Sequence, residues 1–97
     1  MLVEYIEEKV RKLVCFVIET PCEELYVGVG NIPLKRAVAR NLCLYILHDR
    51  YAVCYNQLAS LTSLTQRSVM RCVKKARMYI EYDKMYIKYL NQIRERL

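Results

Sequence analysis

Apolar residues recur every three or four positions along most of the chain, and polar ones fill the gaps between them. Val3, Ile6, Val10, Leu13, Val14 and Val17 form one such stripe, which predicts an amphipathic helix from about Val3 to Ile18. Thr20-Pro21-Cys22-Glu23 reads as a fresh start, with Thr20 as N-cap, Pro21 in the first helical position and Glu23 completing a capping box. A short second helix from Pro21 to Tyr26 is therefore expected. Gly28 and Gly30 end it and open a loop through Asn31, Ile32 and Pro33. From Pro33 to Arg50 the pattern predicts a long central helix with Val38, Leu42, Tyr45 and Ile46 on its inner face. Leu34 and Asp49 lie near its ends, and Ala39 and Cys43 are small enough to let another helix come close.

The next stretch, Asn56 to Lys75, has the layout of a helix-turn-helix. Helices are expected over Tyr55–Thr62 and Gln66–Ile80, with Thr65 as N-cap of the second. Ala59 marks the crossing of the two helices, Leu64 plugs the turn, and Val69, Cys72 and Val73 face the shared core. Thr65, Gln66, Arg67, Ser68 and Arg71 then fall at the start and on the outer face of the second helix, the surface a recognition helix offers to the major groove. Asp83 caps a last helix, Lys84 to Arg96. The whole reads as one all-α domain of six helices spanning residues 1–97, with no linker, repeat or low-complexity segment.

Composition narrows this picture. Gly and Pro are scarce, at two residues each in 97, which suits helices joined by short connections. No run approaches the roughly 18 apolar residues of a membrane span, and the acidic, amphipathic start MLVEYIEEKVRK does not resemble a signal peptide. A cytoplasmic protein is expected. Five cysteines with no C-x-x-C pair, and a single histidine, His48, make no zinc set. Cys15, Cys43 and Cys72 read as small core residues, and His48 as a solvent-facing or helix-end cation. Tyr5, Tyr45, Tyr79, Tyr86 and Tyr89 read as side chains at the rim of the core with their hydroxyls in water.

The net charge of +6 is unevenly placed. Residues 1–32 carry a net −3, residues 33–82 a net +7 and residues 83–97 a net +2. An excess concentrated on the helix-turn-helix segment points to phosphate rather than to an ordinary mixed-sign surface.

The long central helix adds a resemblance. Ala39-Arg40-Asn41-Leu42-Cys43-Leu44-Tyr45-Ile46 is similar, nearly position by position, to an A-R-Q-x-A-M-Y-L-like segment of the C-terminal DNA-binding domain of the bacterial replication initiator DnaA, whose fold is related to that of the Trp repressor. Cys54 to Ala59 lies where that family has S-Y/L-P-E-I-G, and Thr65 to Cys72 resembles its D-H-S/T-T-V-x-H-A signature once one turn residue is dropped. Asp83 to Leu97 resembles the family's closing helix. The resemblance covers essentially the whole chain, the first two helices more weakly. It implies a compact Trp-repressor-like fold, duplex DNA binding, and DNA-facing positions at Arg40 and Asn41, with the basic loop represented by Lys35 and Arg36. Thr65-Gln66 stands where the family has Asp-His, and Ser63-Leu64 replaces its Gly-Gly turn. The resemblance thus implies the architecture rather than the family's own recognition sequence. No G-x-x-x-x-G-K-[ST] loop occurs, which fits an accessory to replication, transcription or a mobile element better than an initiator.

The expected partner is double-stranded DNA, with a homodimer or a larger protein partner compatible, and with no membrane, small-molecule substrate or cofactor. Gln66, Arg67, Ser68 and Arg71 are the candidate base contacts, since Gln pairs with the adenine edge and Arg with guanine. Arg40 and Asn41 would approach the same duplex, Lys35 and Arg36 would reach phosphate or the adjacent minor groove, and Lys74, Lys75 and Arg77 would hold the backbone. No enzyme site assembles from one histidine and carboxylates that lie mainly in Glu7-Glu8 and Glu23-Glu24. The competing expectation is a protein-interaction or dimerisation module on the same scaffold, using the aromatic run YIEYDKMYIKYL.

Overall fold

The first apolar stripe folds as helix α1 (Leu2–Ile18), which buries Val10, Val14, Cys15 and Ile18. Four further helices follow in the computed structural model, which describes residues 2–28 and 32–97. They are α2 (Leu34–Asp49), α3 (Tyr55–Thr62), α4 (Gln66–Tyr79) and α5 (Lys84–Arg94). No strand occurs among the described residues, and none of their helices is long and apolar enough to cross a membrane. Helix α2 is the axis of the molecule. Every residue from Val38 to Leu47 is buried, because α1, α4 and α5 pack around it, its pairing with α4 being the most extensive. A helix covered on all sides must carry its polar residues inside. The fold is compact, with a radius of gyration of 12.0 Å, close to the ~13 Å of a folded chain this size.

The short second helix does not form, so five helices stand where six were expected. Residues 23–26 make turns instead, held by i to i+3 bonds from Leu25 N to Cys22 O (3.3 Å) and from Val27 N to Glu24 O (3.1 Å). The segment is held from 15 residues downstream. Arg40 Nε donates to Leu25 O and its Nη2 to Val27 O, both at 3.0 Å. Those bonds fix the end of the segment as a turn, and a six-residue helix is too short to sustain itself on its own. Gly30 and Asn31, expected in the following loop, lie outside the described residues.

Helix termini follow the local chemistry closely. Asp83 Oδ1 accepts from Met85 N (2.9 Å) and Tyr86 N (3.2 Å), starting α5. Helix α3 ends on Ser63 in the left-handed region, φ 62°, and Thr62 secures the exit: its hydroxyl donates to Leu58 O (2.7 Å) and accepts from Leu64 N (3.3 Å). Two of the tyrosines expected at the rim are interior residues. Tyr45 and Tyr86 are buried, and the Tyr86 hydroxyl meets Asn41 rather than water.

Candidate nucleic-acid interface

Helix α4 divides cleanly into two faces. Val69, Val73 and Ala76 are fully buried against the core, which sets the rotation of the helix about its axis. Gln66, Arg67, Arg71, Lys74, Lys75 and Arg77 are exposed on the opposite side. Thr65 holds the first turn: its Oγ1 accepts from Ser68 N at 3.1 Å and donates to Ser68 Oγ at 2.9 Å. That arrangement occupies the Thr65 hydroxyl and leaves the Ser68 proton available to an outside acceptor. The other three amides of the first turn have no partner within the helix and point outward, as at any helix start.

The electrostatics of this face differ from those of α1 and the 19–24 turn. Helix α4 contains no Asp or Glu. On α1 and at the start of α2 several cations meet carboxylates: Arg11 with Glu7 at 2.8 Å, Lys12 with Glu8 at 2.9 Å, Lys35 with Glu19 and Arg36 with Glu24 at 3.9 Å each. Among the described residues Arg67, Arg71, Lys74, Lys75 and Arg77 form no such pair. Five unpaired positive charges project from four turns of one helix, with Met70 and Met78 exposed among them.

The residues expected on α2 are placed otherwise. Arg40 is 8 % exposed and Asn41 7 %, and neither faces outward with the α4 cations. The Arg40 guanidinium is turned into the 25–27 turn described above, where burial lowers its pKa. Asn41 Nδ2 donates to the Tyr86 hydroxyl at 3.0 Å, pinning α5 to α2. This corrects the reading of both as DNA-facing: a helix wrapped on all sides leaves them no surface to present. Arg36 is largely buried and lies along the same turn, its Nη2 so close to Gly28 that a Cβ there would stand 3.3 Å away. Its Nε is buried without a hydrogen-bond partner. Of the four α2 candidates, Lys35 alone projects into solvent, from the first turn, beside Glu19.

Two structural groups near this region carry no obvious sequence signal. His48 stacks on Tyr55 with ring centroids 4.2 Å apart, and its Nδ1 lies 2.9 Å from Val53 O. A carbonyl only accepts, so Nδ1 carries the proton in this contact. The pair ties the end of α2 to the start of α3. Under α1, Glu7 Oε2 accepts from Arg11 Nε and from the Tyr26 hydroxyl, both at 2.8 Å. The Tyr26 oxygen in turn lies 3.3 Å from Cys43 Sγ.

Burial raises the thiol pKa of Cys15, Cys43 and Cys72 alike, so these cysteines are protonated and unreactive at neutral pH. Cys54, by contrast, is exposed. Among the described residues no three His, Cys, Asp or Glu side chains converge to hold a metal ion. The chain matches no protein-family model, and no curated protein matches it.

Proposed function

We propose that this chain binds double-stranded DNA, with α3, the turn at 63–65 and α4 acting as a helix-turn-helix that lays α4 in the major groove. The observation that carries the reading is the row of five unpaired cations on the exposed face of a helix without a single carboxylate. Desolvated or solvated, like charges at this density repel one another, and a polyanion relieves that cost while releasing its own counterions. The resemblance of the sequence to the DnaA C-terminal domain supports the same orientation. Gln66, Arg67, Ser68 and Arg71 would meet base edges, while Lys74, Lys75 and Arg77 would hold phosphates. Thr65 serves as the cap that orients them, and Lys35 approaches the backbone from the side. Arg36, Arg40 and Asn41 support this surface from within.

Fluorescence anisotropy with a labelled random-sequence duplex, read at rising salt, tests the proposal. Binding should weaken steeply, with log affinity falling by about 0.9 per log unit of salt for each phosphate neutralised. Selection from a random duplex pool would then return the preferred site, and a dyad in it would indicate a dimer. A chain that binds no duplex at low salt, or binds with affinity indifferent to salt and to Arg67→Ala, is not a DNA-binding protein. A salt-insensitive protein complex through Met78 and Tyr82, both exposed beyond the basic row, would instead support an interaction module.

A further inference from the structure

Met70 is the one apolar side chain among the exposed residues of the first two turns of α4, and it is 39 % exposed. It does not belong to the core, because Val69 and Val73 on either side of it fill that role at zero exposure. It shares a shallow surface depression with Gln66, Arg67, Arg71 and Lys74. Four residues after Gln66, it stands on the same flank of the helix one turn along. A thioether in the middle of a charged row gains little from hydration, and its polarizable, adaptable side chain suits contact with an apolar group of a partner.

The major groove offers one apolar group, the C5-methyl of thymine. Resting on the DNA-binding reading above, we infer that Met70 is a specificity-determining residue that packs on a thymine methyl, beside the base edge met by Gln66. Along the helix the two side chains are separated by about 6 Å, while successive bases rise by about 3.4 Å. The thymine therefore lies within about two steps of the base that Gln66 contacts. Gln66 suits adenine and Met70 suits thymine, so this end of the site is A·T-rich. Met78 is two turns further on, past the N-terminal part of a recognition helix that reaches bases, and has no such role.

Single replacement of each thymine in the selected duplex by deoxyuridine removes one methyl and nothing else. One replacement should weaken binding about fourfold, the worth of one buried methyl-sized group. Met70→Ala should bind the thymine and uracil duplexes equally, whereas Met70→Leu should keep part of the difference. Circular dichroism would verify that both variants fold, as expected for an exposed position. Indifference of the unaltered protein to every uracil replacement, or a selected site without thymine, overturns the role of Met70 while leaving duplex binding intact. So does a uracil penalty of the same size in Met70→Ala. Failure of the unaltered protein to bind any duplex overturns the DNA reading itself, and this inference with it.

Discussion

Arg40 and Arg67 carry the same functional group and do opposite work, because their surroundings differ. The Arg40 guanidinium donates to two backbone carbonyls of a turn that has no helix of its own to satisfy them. Removing it leaves the buried Leu25 O and the part-buried Val27 O without this donor, and each charged hydrogen bond of this kind is worth about 1.5–3 kcal/mol. Arg40→Met should therefore destabilise the fold by about 3 kcal/mol, seen as a lower urea midpoint, while on the proposed reading the protein that remains folded binds duplex DNA as the unaltered protein does. Arg67 is exposed and unpaired. Arg67→Ala should leave the urea midpoint unchanged and, on the proposed reading, weaken binding by about 1–3 kcal/mol with relaxed preference at one base. The two variants separate support from contact in a single pair of measurements. Equal effects of both on stability, or a binding loss at constant folded fraction in Arg40→Met, would return Arg40 to the interface.

At the level of the element, the turn between α3 and α4 carries a cost that can be removed. Ser63 takes φ 62°, a conformation that crowds any Cβ. Ser63→Gly should stabilise the protein by roughly 0.5–1 kcal/mol, because relief of that crowding exceeds the extra freedom glycine gives the unfolded chain. Thermal melts of the two proteins check the sign. The same joint shows what could be read in advance. Thr65 and Asp83 announce their helices because capping is settled within three residues, and the stripes of α1 and the inner face of α4 are equally local. Helix α2 was legible in extent but not in depth. Its polar residues, Arg40 and Asn41, look like surface positions until one knows their partners, Leu25 O 15 residues earlier and Tyr86 45 residues later. The failed helix at 21–26 is the same problem seen from the other side: the Thr20–Glu23 pattern is local, but the turn that forms is held by Arg40 from α2. At the candidate site the basic row on α4 is legible in the sequence, whereas the lack, among the described residues, of an ion pair for any of its five cations depends on where the carboxylates of other segments fall.

Across the whole molecule, the ion-paired surface of α1 and the 19–24 turn is separate from the unpaired cations of α4. Acidic side chains on α1 and the 19–24 turn pair with the cations near them, while α4 keeps its own unpaired. Between these two surfaces lies an interior holding several groups that are neutral only while protonated. Burial pushes the Cys15 thiol from 9.0 up to about 12, and the same cause raises Cys43 and the Tyr26 hydroxyl further, with smaller upward shifts at Cys72 and Tyr86. In the unfolded chain these groups release their protons at ordinary values, so above pH 9 it is the folded state that holds more protons. Stability contributed by their burial is therefore complete below about pH 9 and is lost as pH rises through the folded values. Each such group steepens the decline by about 1.4 kcal/mol per pH unit within its window. The urea midpoint should thus be level between pH 7 and 8.5 and fall increasingly from pH 9.5 to 11. Cys15→Ala should begin somewhat less stable, since a buried side chain is shortened, yet decline less steeply over the same range by about one group's share. Parallel declines in the two proteins would show that the Cys15 thiol ionises as freely in the folded chain as in the unfolded one. The packing of Cys15, 4 % exposed and beside Cys22, would then have to be looser than its burial implies.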